Sequence, residues 1–412
     1  MEGTDGMNGT NGMNGTGVRG QRVVRLAAIA TVLVACAEPP AGIVVGPVEF
    51  SAPAGSLAPA LAAAGDAAVL SWLEPAGDGR FAFRTAVRRA GAWTPNDPVV
   101  VSDSLFVNWA DVPSVQPGDD GVWLAHWLRR AGAGTYAYHV HLAVSPDEGR
   151  SWGAPFVPHA DRSETEHGFA ALVPWTDGWA ALWLDGRNTV TNEPMTLRFA
   201  PIAPGGSSGQ ELEVDPKVCD CCQTAVARTA SGLVAAYRDR SDGEIRDIAS
   251  RRFEGGRWTG PRMVADDGWH YPGCPVNGPQ LDARGDTVAV AWFTGANETP
   301  RVYVAFSTDA GRSWGPRLQV DDGRPAGRVD VAWWGDWALV SWIEETGETG
   351  EVRVRLVDAS GRLTPGTTVA RTAASRAAGF PRLVVVGDAA VVAWTQPGDS
   401  GGVRVAALAG GS

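Results

Sequence analysis

Short apolar stretches that end in an aromatic residue recur along the chain between polar turns. Each follows a turn rich in Gly, Asp or Ser and contains four to six small or β-branched apolar residues. Runs of this length, apolar on both faces and bounded by turn residues, are typical of buried β-strands. Seven copies end about 50 to 56 residues apart, at Trp72, Trp127, Trp183, Tyr237, Trp292, Trp342 and Trp394.

Each repeat also supplies three further strand-like segments. In the fifth copy, residues 279–283 precede the turn, 288–292 form the aromatic-ended strand, 301–306 follow a polar loop and 317–320 complete the unit. A period of this length carried by strands alone is typical of a β-propeller. The sequence therefore predicts an all-β fold, a β-propeller of seven four-stranded blades, with six blades as the alternative.

The last repeat stops after its third strand, residues 403–408, whereas residues 43–50 form a strand with no repeat of its own. We expect this N-terminal strand to complete the last blade and close the ring, which leaves no long open edge. The predicted organisation is a leader with a signal peptide over residues 1–35, a tether over 36–42 and one propeller over 43–412.

The N-terminal region carries an export signal. Several arginines precede residues 26–35, an apolar run that is too short to span a membrane. The run ends in Leu33-Val34-Ala35-Cys36, which resembles the lipobox of bacterial lipoproteins. That resemblance implies that Cys36 is lipidated and anchors an exported protein to a membrane of the bacterial cell envelope; an ordinary signal peptide is the alternative. The remaining cysteines then meet an oxidising compartment.

Charge narrows the classes of partner. The formal net charge is -11, and no basic stripe offsets it, which argues against a nucleic-acid partner. We expect a monomer whose partner is a glycan or another small molecule.

Two hairpins share the pattern S-x-D-x-G-x-x-W, at residues 145–152 and 307–314. In such a turn the Asp carboxylate accepts backbone N–H bonds and the Gly supplies a positive φ. The pattern resembles the Asp-box, or BNR repeat, of the sialidase superfamily. That resemblance implies a propeller that binds or hydrolyses an acidic glycan and, if the protein is an enzyme, a glycoside hydrolase of exo-sialidase type.

Arginines alternate with carboxylates in the loops that follow two of the aromatic-ended strands. Arginine grips carboxylates in a bidentate manner, so such loops favour recognition of an anion. The alternative is a salt-bridged rim, in which exposed pairs contribute little. The predicted catalytic or binding residues are Arg187, Arg238, Arg240, Glu244, Arg246 and Asp247.

The segment Cys219-Asp220-Cys221-Cys222 concentrates three cysteines, and Cys274 lies in the next repeat. Three interpretations stay open. The cysteines form two disulfides, with Cys274 joined to one of the three. Alternatively they bind copper or zinc together with His167 or His270. The third is a redox-active thiol pair near Arg238 or Arg240. A metal-binding or thiol-redox propeller is thus an alternative function, and a non-catalytic interaction scaffold is another.

Other histidines are predicted to be structural. His126 lies next to an aromatic-ended strand position and is expected in the core, whereas His159 is expected on a surface loop. His139 and His141 alternate along one strand and are expected to face solvent or a neighbouring blade.

Overall fold

The computed structural model describes residues 42–411 of the 412-residue chain. Cys36, the signal peptide and most of the tether lie outside the described residues. Within 42–411 the chain forms small antiparallel sheets and no α-helix, and no helix there is long and apolar enough to cross a membrane. The four short 3₁₀ turns are Asp119–Gly121, Thr189–Thr191, Ala296–Glu298 and Arg376–Ala378.

Seven sheets follow one another along residues 42–411, as the predicted seven-bladed propeller requires. Blade 1 contains β2 (Leu57–Ala64), β3 (Ala67–Pro75), β4 (Phe81–Arg89), β5 (Ala92–Pro95) and β6 (Val100–Ser102), and blade 2 contains β7 (Ser114–Pro117), β8 (Trp123–Arg130) and β9 (Tyr138–Ser145). Blade 3 contains β10 (His167–Trp175), β11 (Gly178–Asp185), β12 (Thr196–Ala203), β13 (Ser207–Ser208) and β14 (Leu212–Asp215). Blade 4 contains β15 (Ala225–Thr229), β16 (Gly232–Arg238), β17 (Ile248–Glu254), β18 (Arg257–Trp258) and β19 (Arg262–Met263). Blade 5 contains β20 (Gln280–Arg284), β21 (Thr287–Thr294), β22 (Arg301–Ser307) and β23 (Leu318–Gln319), and blade 6 contains β24 (Pro325–Trp334), β25 (Trp337–Thr346), β26 (Thr349–Val357) and β27 (Thr367–Thr372). Blade 7 contains β28 (Arg382–Val386), β29 (Ala389–Gln396), β30 (Gly402–Gly410) and the N-terminal β1 (Ile43–Ser51).

The fourth strand is the least regular part of a blade. In blades 1, 3 and 4 it is split between two short strands that pair with the same neighbour. In blade 2 it is reduced to one bridge, in which Phe156 and Leu142 exchange two backbone hydrogen bonds of 2.8 and 2.9 Å. Seven blades are therefore confirmed, although blade 2 has three strands rather than the predicted four.

The second strand of each blade is buried on both faces because a neighbouring blade packs on each side. In β21 the five residues from Val288 to Trp292 are all 0% exposed. Removing a buried side chain as large as that of Trp292 typically costs about 3 to 5 kcal/mol. The continuous apolar runs in the sequence therefore reflect burial between blades.

The N-terminal strand closes the ring as predicted. β1 pairs antiparallel with β30, from Ile43 opposite Gly410 to Ser51 opposite Arg404. Ile43 is 8% exposed and packs in one cluster with Leu408. The first and last strands of the described residues thus share one sheet.

The two Asp-box hairpins have the geometry expected of them. Asp147 Oδ1 accepts the backbone N–H of Ser151 at 2.8 Å, and Asp309 Oδ1 accepts that of Ser313 at 2.9 Å. Gly149 and Gly311 both adopt a φ of 79°. These residues stabilise the turns, so we assign them a structural role.

The innermost strands surround a central cavity of about 460 Å³ that is lined largely by small residues. At one end, the segment of residues 108–111 reaches from blade 2 towards other blades. Trp109 stacks on Phe380 of blade 7, with ring centroids 5.7 Å apart. Gln223 donates to Ala110 O at 2.8 Å and accepts from Gly278 N at 2.9 Å. These contacts fix the loops of blades 2, 4, 5 and 7 relative to one another.

We expect ring closure to be the most vulnerable point of the fold. An Ile43→Asp substitution places an unpaired charge against the apolar cluster of blade 7, and should lower the free energy of unfolding by about 2 to 4 kcal/mol. The adjacent Val44 is 56% exposed, so Val44→Asp is the matched control. This substitution should change the free energy of unfolding by less than about 0.5 kcal/mol. Chemical denaturation measures both; equal effects would contradict a closing role for β1.

Candidate functional site

The four cysteines of the described chain form two disulfides. Cys219 is joined to Cys222, with Cα atoms 5.8 Å apart, and Cys221 is joined to Cys274, with Cα atoms 6.0 Å apart. The second bridge connects the loops that precede blades 4 and 5. This is the first of the three arrangements that the sequence allows. Paired cysteines offer no thiolate to a metal, so the copper or zinc prediction concerns the reduced protein.

Arg238 lies beneath these loops and is 1% exposed. Its guanidinium donates to Asn277 O at 2.8 and 2.6 Å, to Phe293 O at 2.6 Å, and to Arg246 O. It also stacks over the Trp269 ring, 4.7 Å from its centroid. Burial lowers the pKa of Arg238 to about 9. Every partner is a backbone carbonyl or an aromatic face, so Arg238 holds the blade 4 and blade 5 loops together.

Asp247 has a similar positioning role. It is 5% exposed and accepts the backbone N–H groups of Gly268 at 2.8 Å and Trp269 at 3.0 Å. The carboxylate therefore orders the loop that carries Trp269 and the exposed Tyr271.

Four charged residues lie beside the first disulfide, and we call Asp220, Arg240, Glu244 and Arg246 the Arg240 cluster. All but Arg246 are partly exposed. Arg240 donates to Asp220 at 2.8 Å and to Glu244 at 3.0 and 3.1 Å, and Arg246 donates to the other Glu244 oxygen at 2.6 Å. The hydrogen bond from Arg240, with the charge of Arg246, lowers the pKa of Glu244. The Arg240 and Glu244 side chains are 25% and 26% exposed, so a ligand can reach them.

Arg246 differs from Arg240 in its burial. It is 2% exposed, and its Nε and Nη1 atoms have no hydrogen-bond partner among the described residues. A buried guanidinium nitrogen without an acceptor is costly, because a lost hydrogen bond to a charged group is not replaced by water. The Arg240 cluster therefore contains a cation with spare donor capacity.

Arg187 belongs to a separate group in blade 3. It donates to both oxygens of Asp185 at 2.7 Å and to Glu211 at 2.5 Å. Burial raises the pKa of Asp185, but the hydrogen bonds from Arg187 and the charge of His167 outweigh it and hold that pKa at about 2. No hydrogen bond among the described residues joins this group to the Arg240 cluster. The predicted residues thus lie in two clusters on adjacent blades.

A carboxyl–phenol array precedes both clusters in the sequence, and the sequence reasoning missed its role. Tyr138 Oη is 2.6 Å from Glu166 Oε1 and 3.1 Å from Asp111 Oδ2. Phe169 N donates to the same Asp111 oxygen at 2.8 Å. A phenol has one proton to donate, so a second hydrogen bond at Tyr138 requires one of the two carboxyl groups to be protonated.

The electrostatics of this array favour bound protons. Burial raises the pKa of Glu166 to about 8; the charges of Asp111 and Asp220 add to the rise and the Tyr138 hydrogen bond opposes it. Burial likewise raises the pKa of Asp111 to about 7. Asp111 is 1% exposed, whereas Glu166 is half-buried. Glu166 is therefore the more accessible proton donor of the array, and the negative charge of Asp220, a member of the Arg240 cluster, contributes to its raised pKa.

His167, a predicted metal ligand, lies in a different place from the cysteines. Its ring stacks on His159 at 4.1 Å and meets His139 edge-on at 4.9 Å, and its Nε2 is 3.0 Å from Asp161 Oδ2. Within residues 42–411, the group of three possible ligand atoms that lie within 4.8 Å of one another consists of the three neighbouring cysteines and does not include His167.

Two of the histidine predictions have clear outcomes. His126 is 1% exposed, as expected of a core residue. The surface position predicted for His159 is wrong: it is also 1% exposed, because its loop folds in between blades 2 and 3 and its Nδ1 bonds to Asp161 O at 2.8 Å. Burial and the charge of His167 lower the pKa of His159 to about 3, so it is neutral at physiological pH.

No protein-family model and no curated protein matches this chain. Among solved structures, an ulvan lyase from a new family of polysaccharide lyase has a TM-score of 0.60 at 13% identity, over 88% of this chain and 95% of that one. An ulvan lyase bound to -[GlcA(1-4)Rha3S]- has a TM-score of 0.59 over the same shares, also at 13% identity. Trypanosoma rangeli sialidase has a TM-score of 0.46 at 12% identity, over 89% of this chain and 59% of that one. The ulvan lyase likeness shows the propeller fold.

We expect Glu166 to make stability depend on pH. Its pKa is about 8 in the folded chain against 4.5 for an ordinary glutamate, so the unfolded chain binds fewer protons and stability falls as pH rises between those values. Glu166→Gln removes this contribution. Thermal unfolding between about pH 5 and pH 9 should show the parent protein losing stability relative to that variant.

The exposed Glu164 lies in the same loop, and Glu164→Gln serves as the control that should follow the parent protein at every pH. A difference between parent and Glu166→Gln that stays constant with pH would contradict the raised pKa.

Proposed function

We propose that this protein binds and hydrolyses an acidic glycan on the face that carries Glu166 and the Arg240 cluster. The observation that carries the proposal is the 2.6 Å contact between Tyr138 and Glu166, with the pKa of Glu166 raised to about 8. Cleavage of a glycosidic bond needs a carboxylic acid that still holds its proton near neutral pH and gives it to the leaving oxygen. Glu166 meets both requirements.

Asp111 and Tyr138 act through Glu166. Both are 1% exposed, so a sugar ring does not reach them in this arrangement. Tyr138 fixes the Glu166 carboxyl by its hydrogen bond, and the charge of Asp111 helps to keep the proton on it. Tyr138 is too buried to act as a nucleophile in this arrangement, so the support for a glycoside hydrolase of exo-sialidase type is the Asp-box resemblance, and we propose that reaction class on that ground.

The Arg240 cluster supplies recognition of the anionic group. A sugar carboxylate that replaces Glu244 as the partner of Arg240 gains a bidentate, charge-assisted contact. The spare nitrogens of Arg246 supply further donors once the loop adjusts. In support of this class of ligand, an ulvan lyase with the same fold is bound to a saccharide that contains GlcA. Arg187, already paired with two carboxylates, positions Asp185 in the neighbouring blade.

We also propose that the protein works outside the cytoplasm as a lipid-anchored envelope protein. The support is the sequence before residue 42, in which a short apolar run ends at Cys36. A glycan substrate fits that location, because polymeric glycans are met outside the cell.

A panel of sialylated, uronate-containing and sulfated glycans, with neutral arabinan as the comparison, tests the function. We expect turnover of at least one acidic glycan, measured as released reducing sugar, and a fall in rate as pH rises through about 8, where Glu166 loses its proton. Glu166→Gln should lower the rate by about 10²- to 10⁴-fold with little change in binding. Arg240→Ala should weaken binding instead.

Glu164→Gln is the matched control and should keep full activity. Absence of binding and turnover across all acidic glycans, or equal turnover of arabinan, would rule out the proposal. Formation of an unsaturated product that absorbs in the ultraviolet would show that the glycan is cleaved by elimination and not by hydrolysis.

A further inference from the structure

Two arginine side chains converge on the ring of Trp109, and we call Trp109, Arg328 and Arg376 the Trp109 platform. The guanidinium carbons of Arg328 and Arg376 lie 5.4 and 5.7 Å from the centroid of the Trp109 ring. An indole ring attracts a cation placed over its face. Trp109 therefore holds two positive charges at one place on the propeller.

These two charges have no carboxylate partner. Arg328 is 6% exposed, and its guanidinium donates to the backbone carbonyls of Ser375 at 2.8 Å and Ala374 at 2.9 Å. Arg376 is exposed and makes no hydrogen bond among the described residues. Neither guanidinium forms an ion pair with a carboxylate of residues 42–411. In a chain with a net charge of -11, two adjacent cations without a counter-ion indicate a site for an external anion.

The electrostatics of Arg328 agree with this interpretation. Burial lowers the pKa of Arg328 to about 10; the charge of Glu345 opposes the shift and the charge of Arg376 adds to it. Glu345 is itself paired with Arg324 at 3.6 Å. An anion between Arg328 and Arg376 relieves their repulsion and accepts N–H groups of the exposed guanidinium.

The Trp109 platform lies close to the carboxyl–phenol array. Trp109 is two residues before Asp111, a separation of at most about 7 Å of extended chain. Asp111 Oδ2 is 3.1 Å from Tyr138 Oη, which is 2.6 Å from Glu166 Oε1. Bound groups on the platform and at Glu166 are therefore within reach of one oligosaccharide.

Hydrogen bonds also connect the platform to the loops of the Arg240 cluster. The side-chain oxygen of Asn277 accepts Arg328 N at 2.8 Å, and its carbonyl oxygen accepts the Arg238 guanidinium at 2.8 and 2.6 Å. Arg238 donates in turn to the carbonyl oxygen of Arg246, a member of the Arg240 cluster. The two cationic groups thus keep a fixed spacing on one face.

We propose that the Trp109 platform is a second anion-binding subsite. It takes a carboxylate or sulfate of the glycan while another acidic sugar of the same chain occupies the Arg240 cluster. Arg376 makes the surface contact, and Arg328 positions the segment that carries Arg376 through Ala374 and Ser375. This inference rests on the proposed function and deepens it, since the ligand becomes an oligomeric or polymeric glycan with an acidic group on more than one sugar.

Calorimetric titration of the protein carrying Glu166→Gln, which prevents cleavage, tests the subsite. Sialic acid and galacturonic acid are each compared with their tetramers. We expect at least one tetramer to bind at least 10-fold more tightly than its monosaccharide, a gain of about 1.4 kcal/mol. Arg376→Ala should remove most of this gain, because the second acidic group loses its partner.

Arg257→Ala is the matched control. Arg257 is also exposed, and it lies on the β17–β18 hairpin, at the end of blade 4 far from Arg238. This variant should keep the full gain. A tetramer that binds no more tightly than its monosaccharide, a gain that survives Arg376→Ala, or an equal loss in Arg257→Ala would overturn the subsite and leave the proposed function intact. Absence of binding by every acidic sugar, short or long, would overturn both.

Discussion

Burial of each blade between two neighbours is the constraint on which the rest of this structure depends. A sheet that is apolar on both faces is soluble only when both faces are covered, and an open stack of blades always has two uncovered ends. The pairing of β1 with β30 removes those ends by turning the stack into a ring. Once the ring is closed, each loop occupies a fixed position relative to loops far away in the sequence. The site is a consequence of that closure.

Closure brings charged loops together, and burial decides what each residue does. Arg238 and Asp247 are nearly inaccessible and hold neighbouring loops through backbone carbonyl and amide groups. Arg240 and Glu244 remain partly exposed, and their charges balance. Glu166 differs from these charged residues because it stays protonated at neutral pH. Burial raises its pKa, and the charges of Asp111 and Asp220 add to the rise, so the carboxyl retains its proton.

The sequence predicts the architecture well because each repeat is defined by short local sequence patterns. Strand length, turn residues and the two Asp-boxes all depend on neighbouring residues, and the missing last strand is visible from the repeat count. The site is harder to predict because its contacts join residues of different blades. Asp111, Tyr138 and Glu166 carry no shared motif, and their contact depends on how blades 2 and 3 pack. The sequence left open which of the three neighbouring cysteines pairs with Cys274, and the structure joins Cys221 to it.

The central claim is that Glu166 keeps a proton at neutral pH on the face of the propeller that binds a ligand. The most direct measurement is the ionisation of this carboxyl itself, followed by carbon NMR of the glutamate-labelled protein across pH and assigned by the signal missing in Glu166→Gln. The account predicts a carboxyl resonance that titrates near pH 8. A resonance that titrates near 4.5, as for an ordinary glutamate, would contradict it.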